Sequence, residues 1–198
     1  AETYAARLAV KNGSTVMGAL LVSLALAPPI LADQATWVSQ PEASELAFAA
    51  WYDDEKLPGK FNAFQARVTL DEARAGPGVL RVLVDLASAD MNDREINAEL
   101  AEPDWFYVAA FPSAEFSSDH VRRVESGFVA VGHLRLKGID KAVEVPFEWQ
   151  QDGNTATLSG TVVLSRRQWQ IGVGEWASDA RLEDRVELHY TVKLAPEH

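Results

Sequence analysis

The chain has 198 residues, of which 47% are hydrophobic and 24% charged, the composition of one sizeable globular domain rather than of a disordered chain. Its net charge of −11 argues against nucleic acid as a partner and against lasting contact with anionic lipid surfaces, because like charges repel. It contains no cysteine, which excludes disulfides, thiolate catalysis and zinc–cysteine sites.

Residues 1–32 carry Arg7 and Lys11, then the apolar run Met17–Ala27, then Pro28-Pro29-Ile30-Leu31-Ala32. A positive flank, a short apolar core and a small residue at the end describe a secretory signal. The expected cleavage follows Ala32, which leaves residues 33–198 as the mature domain and residues 1–32 as a signal peptide with its upstream extension. An uncleaved anchor would need about 20 apolar residues, and the two prolines interrupt this run.

The mature chain is dominated by a period of two. Ala35–Ser39 and Glu45–Trp51 form a first strand or strand pair split near Pro41. Tyr52–Lys60, with Asp53-Asp54-Glu55 and Pro58-Gly59, is expected to be a loop. Phe61–Leu70 alternates again, Gly76-Pro77-Gly78 is a turn, and Val79–Ala87 is the next strand. The period then changes over Asn92–Leu100, where Ile96 and Leu100 stand four apart. This predicts one short helix capped by Asn92 and stopped by Pro103. Asp104–Pro112 is aromatic and irregular. Strands resume at Ser113–Ser118, and His120–Glu125 continues or pairs with that strand.

Gly127–Trp149 is the clearest element. Phe128, Ala130, Gly132, Leu134 and Leu136 share one face of a first arm, and Val143, Val145, Phe147 and Trp149 share one face of a second. Side chains of a strand alternate between faces, so each arm is a strand with one apolar side, joined by a hairpin at Gly138. Thr155–Leu164 and Arg185–Leu194 repeat the pattern, separated by a long connection from Gly172 to Arg181 that contains Trp176. The total is about eight or nine antiparallel strands with short connections, a β-sandwich or a closed β-barrel.

No catalytic constellation stands out. The four histidines have no metal-ligand spacing, no Gly-x-Ser-x-Gly elbow is present, and no glycine-rich loop precedes a helix. Asp53-Asp54-Glu55 reads as a solvated turn rather than a cation site. Three alternatives stay open. One is an outer-membrane β-barrel, which shares the period of two with its faces reversed. Another is a hydrolase using a barrel-mouth carboxylate such as Asp53 or Asp184. The third is a structural or partner-binding sandwich with a filled core and no cavity.

Five segments, in order, resemble one known family. They are Gly59-Lys60-Phe61-Asn62-Ala63-Phe64; Val84–Asp90 followed by Asp93; Asp104-Trp105-Phe106-Tyr107 with Phe111-Pro112-Ser113-Ala114-Glu115-Phe116; Gly132–Lys141; and Leu164–Gly172. Together they resemble the YceI-like family, the periplasmic polyisoprenoid-binding proteins, over residues 36–195. The hairpin resembles the family's G-x-L-T-L-R-G-V-T-K, and Arg166 to Gly172 its R-x-x-F-G-I-G. The chain departs at Trp51 and Tyr52, where many members carry a histidine, and in the hairpin at Leu136-Lys137 and Asp140, where the usual residues are Ile-Arg or Leu-Arg and Thr.

The resemblance implies a lipocalin-like antiparallel barrel of about eight strands with one short helix. Its lumen would hold a long isoprenoid such as a polyprenyl phosphate or a quinone-like lipid, with no catalytic residue and no cofactor or metal. It also implies a periplasmic location. Trp105 and Gly174-Glu175-Trp176-Ala177 resemble a branch found beside membrane b-type cytochromes, so association with such a cytochrome is implied, and a homodimer is an arrangement left open. On this reading the ligand-binding wall is Phe48, Phe64, Phe106, Phe116, Phe128 and Trp169, with Arg166 and Arg167 as candidates for the lipid head.

Overall fold

The computed structural model describes residues 35–71, 76–177 and 180–197. The expected signal segment 1–32 lies outside them. Strand β1 (Thr36–Ser39) and strand β2 (Glu45–Tyr52) are two halves of one barrel stave, broken by a 3-10 turn at Pro41–Ala43. The next stave, β3 (Glu55–Phe61) and β4 (Phe64–Asp71), is broken at Asn62-Ala63. Then follow β5 (Gly76–Asp85), a two-residue strand β6 (Ala89–Asp90), helix α1 (Arg94–Leu100), β7 (Ser113–Val124), β8 (Gly127–Leu136), β9 (Ile139–Asp152), β10 (Thr155–Ser165) and β11 (Arg185–Pro196).

Every ladder is antiparallel, and each stave pairs with the next in sequence: β4 with β5, β5 with β7, and so on to β10 with β11. The ring closes because β11 pairs with both β1 and β2. The result is an eight-staved, closed up-and-down barrel, as the likeness implied, in which the first and last staves pair with each other and neither is an edge strand. Apolar side chains face inward. His133, Arg135 and Glu144 face outward and are exposed, the reverse of a lipid-facing outer-membrane wall.

Three local expectations need correcting. Tyr52–Lys60 is not a loop, since Glu55–Phe61 is strand β3, and the turn shrinks to Asp53 and Asp54 at φ 50° and 64°. Positive φ at both central residues is the primed turn that matches hairpin twist, and aspartate tolerates it. The acidic run is therefore a hairpin tip. Gly76-Pro77-Gly78 lies inside β5, where the register shifts at Thr69/Leu70, so a bulge rather than a turn accommodates it. The helix cap is Asp93 and not Asn92. Asn92 sits at φ 58°, which leaves Asp93 extended with its carboxylate accepting from Glu95 N at 2.8 Å and Ile96 N at 3.0 Å.

One end of the barrel is filled. Trp37, Val68, Ala130, Phe147 and Leu194 are buried there, and Trp37 meets Trp149 edge-on at 5.9 Å between ring centres. The opposite end is covered by non-strand elements, and there the interior is hollow.

Candidate lipid cavity

The hollow end holds a cavity of about 350 Å³, lined almost wholly by apolar side chains. A second chamber of about 110 Å³ lies deeper in the barrel. Leu46, Val84, Ala114, Leu134, Leu164 and Leu188 line both, so the two chambers adjoin. Their walls are the inward positions of the staves, which the period of two places on one side.

The cover is built from helix α1 and from segments that carried the family likeness. Helix α1 contributes Ile96 and Leu100 to the wall. It is pinned by Asp90, whose carboxylate accepts from Asn97 Nδ2 at 3.0 Å and Asn92 N at 2.8 Å. The bonds from Asn97, Asn92 and Asn62 hold the Asp90 carboxyl below its usual range. Trp105 and Phe106 follow. Phe48, Phe61 and Phe106 form a chain of rings, with centres 5.1 and 6.0 Å apart. Gly59 is required because the Phe48 ring lies where its Cβ would be, which gives the Gly-x-Phe step its physical meaning.

The Arg166–Trp169 turn closes the other side. The Arg166 side chain is buried, its Nε donating to Glu183 O at 2.9 Å, Nη1 to Ile171 O at 2.8 Å and Gly172 O at 2.9 Å, and Nη2 to Leu182 O at 3.2 Å. Asp184 stands beside it. Burial pushes the Asp184 carboxyl up, but the Ser165 hydroxyl, the Arg167 N–H and the charges of Arg167 and Arg166 outweigh burial and hold it low. Asp104 O accepts from Gly172 N at 2.8 Å and Val173 N at 3.0 Å, which docks the Asp-Trp-Phe segment on this turn. Trp176 packs on Trp105 at 5.6 Å. Lys137 donates to Gln170 O at 2.7 Å, and burial lowers its amine against the pull of Asp104.

Of the residues proposed from sequence, Phe48, Phe106, Trp169 and Arg166 line the larger chamber, and Phe64 and Phe116 the smaller. Phe128 lines neither. It stacks on Phe147 at 5.6 Å under the Arg123 guanidinium. Arg167 is exposed, with its N–H given to Asp184. Arg166 reaches the wall with its donors already committed to carbonyls, so its geometry is that of a structural clamp. Asp184 is likewise occupied by Ser165 at 2.6 Å and by Arg167, and Asp53 is a turn residue. Among the described residues no group of three or more acidic or histidine side chains could hold a metal.

The sequence reading missed Tyr52, Leu57, Met91, Ile96 and Trp176 on the wall. The four-residue spacing of Ile96 and Leu100 was the available signal for a helix face turned to the cavity. Leu57 lay hidden in the segment read as a loop.

An up-and-down barrel of eight staves, closed first to last around an apolar chamber open near one end, is the architecture of a small-molecule-binding barrel of the lipocalin-like kind. Residues 37–194 match the family model described as the YceI-like domain, and the chain belongs to that family. The UPF0312 protein YE1254 of Yersinia enterocolitica is 32% identical over 98 residues, 50% of this chain and 51% of that protein. The match thus spans about half the length of that relative. The UPF0312 protein plu2095 of Photorhabdus laumondii is 31% identical over 139 residues, 66% of this chain and 72% of the relative. Among solved structures, BcnA of Burkholderia cenocepacia superposes with a TM-score of 0.74 at 27% identity, covering 78% of this chain and 98% of BcnA. A polyisoprenoid binding domain from Saccharophagus degradans superposes at 0.64, covering 81% and 98%, and its 12% identity carries the fold alone.

Proposed function

We propose that this protein binds a long-chain isoprenoid lipid, a polyprenyl phosphate or a quinone-like molecule, inside the barrel, and carries or sequesters it without chemical change. The observation that carries the reading is the pair of adjoining apolar chambers. The larger, at about 350 Å³, falls within the ~300–1,000 Å³ of ligand sites. A prenyl chain gains roughly 25 cal/mol per Å² of apolar surface removed from water, so affinity needs no reacting group. The binding activity named for the Saccharophagus domain supports the same ligand class.

The location belongs to the proposal as well: export through residues 1–32 and a periplasmic site of action, with the mature chain starting at Asp33. Partnership with a membrane b-type cytochrome, and a homodimer, are further expectations of the family likeness.

The test is extraction of the purified full chain with organic solvent, followed by mass spectrometry, together with titration by a fluorescent prenyl probe. A co-purifying prenyl lipid, or saturable uptake of the probe, is the expected result. A preparation that neither carries nor accepts any prenyl lipid overturns the reading.

A further inference from the structure

The ladder between β9 and β10 stops short. Its last pair is Ser159 with Glu148. Yet β9 goes on pairing with β8 as far as Ile139 opposite Leu136, and β10 with β11 as far as Ser165 opposite Arg185. Between those points each of the two strands has, among the described residues, a ladder neighbour on one side only.

The sequence explains where the ladder ends. In an antiparallel sheet the N–H and C=O of one residue point to the same neighbour, and successive residues alternate. The Pro146 carbonyl points toward β10, where it accepts from the Tyr190 hydroxyl. A Cβ on Gly160 would lie 2.5 Å from that oxygen. The nitrogen of Pro146 therefore points the same way, and proline has no hydrogen to give. The register, if continued, would set Pro146 opposite Thr161, and this is where pairing is lost. By the same alternation the backbone groups of Ala142 and Glu144 point toward β10 with no ladder to join.

Val143, Val145 and Val162 face the inner chamber from the two sides of the gap and are half-buried, as are Phe64, Val82 and Val84 on the paired staves. On the outer face of β10 here, Val163 is 56% exposed. Both ends of the gap are fastened. Gly160, Tyr190 and Pro146 form its floor. At its top Trp169 Nε1 donates to Leu134 O at 3.2 Å, and Lys137 Nζ to Gln170 O at 2.7 Å.

We infer that this slot is a side opening of the binding cavity, through which the isoprenoid tail passes. Its rims, Val143 and Val145 facing Val162 and Leu164, are apolar and suit a hydrocarbon chain. A tail longer than the chambers extends sideways through the wall instead of doubling back inside. Proline in β9 keeps the wall from zipping shut, and the Tyr190 hydroxyl fills the carbonyl that the ladder would otherwise use. The inference rests on the lipid-binding reading above.

Two measurements test it. The chain has no cysteine, so Glu144→Cys with Val163→Cys places two outward thiols opposite each other on the continued register. Bridging them with a short, cleavable bis-maleimide should slow exchange of a dansylated farnesyl probe at least tenfold, and cleaving the linker should restore it. Exchange in the bridged protein at the rate of the cleaved one overturns the side opening. The second measurement needs no lipid. Amide hydrogen exchange at Ala142 and Glu144 should be at least a hundredfold faster than at the ladder-paired amides of β8, and Pro146→Val should slow it. Full protection of those amides in the unaltered chain also overturns the opening. Fast amides in a protein that takes up no prenyl probe overturn the lipid reading instead, which separates the two failures.

Discussion

The two ends of this barrel are made by one sequence rule and reach opposite results. Around β1, the far half of β9 and the end of β11, inward side chains come from staves alone, and large rings fill the centre: Trp37 meets Trp149 across it, and Phe128 stacks on its cross-strand partner Phe147. Around β2, β3 and the start of β11, inward side chains are of the same type, yet they enclose a cavity of about 350 Å³. The difference lies in what covers each end. At the hollow end the cover is α1, the Trp105-Phe106 segment and the Arg166–Trp169 turn. Each is braced by its own polar contacts, so the rings form a roof over the space and do not fall into it. Hydrophobic patterning decides which way a side chain points, whereas bracing of the cover decides whether the interior is filled.

That contrast can be broken most directly with a matched pair of substitutions. Ala114 lines both chambers where they adjoin. Ala114→Phe should reduce prenyl-probe affinity at least twentyfold while costing about 1–3 kcal/mol through overpacking, read by titration and by urea unfolding. Leu194→Ala at the filled end, where the side chain is 1% exposed, should cost about 2–5 kcal/mol and leave probe affinity of the folded protein unaltered. Equal effects of both on binding would remove the distinction between the ends.

Removing a brace tests the cover itself. Arg166→Met keeps volume on the wall but strips the donors from the carbonyls of Glu183, Ile171, Gly172 and Leu182. Loss of partners for buried carbonyls predicts a fall of about 3 kcal/mol in unfolding free energy, with probe exchange accelerated. A stability unchanged within error would show the guanidinium to be replaceable.

The smallest effects belong to the helix. Asp93→Ala removes the side-chain cap of α1 and should cost about 1 kcal/mol. Asp90, which ties α1 to the β3–β4 junction, has its folded carboxyl pKa held below the usual 3.8. The stability it adds is therefore present above that value and is lost as pH falls through the lower, folded pKa. A carbon-detected titration of Asp90 should show a midpoint below 3.8, with the Asn97 side-chain amide signals moving in step. A midpoint at or above it would sever the link between this carboxylate and the cover.

Much of the barrel is legible in the sequence alone. Phe128 to Leu136 and Val143 to Trp149 announce their faces by alternation alone, because side-chain direction in a strand is a local property of the backbone. The motif segments proved to be contact partners: Gly59 lies beneath Phe48, and Asp104 holds Gly172 and Val173. Strand β3 was not legible, because Asp53-Asp54-Glu55 and Pro58-Gly59 carry loop composition, and only pairing with β2 keeps them extended. The candidate wall was read partly for the same kind of reason. Aromatic character does not reveal depth along the barrel axis, so Phe128 at the filled end looked the same as Phe48 at the hollow one. Arg166 and Arg167 are adjacent in sequence, yet one is buried on four carbonyls and the other faces water.

By itself, then, the sequence determined the strand period, the inward and outward faces, the single short helix and the family likeness, all of which follow from neighbouring residues along the chain. Only the tertiary structure decided that β11 closes on β1 and β2, that one end of the interior stays empty, and that Pro146 parts β9 from β10. Those outcomes depend on backbone groups far apart in sequence finding, or failing to find, a partner across space.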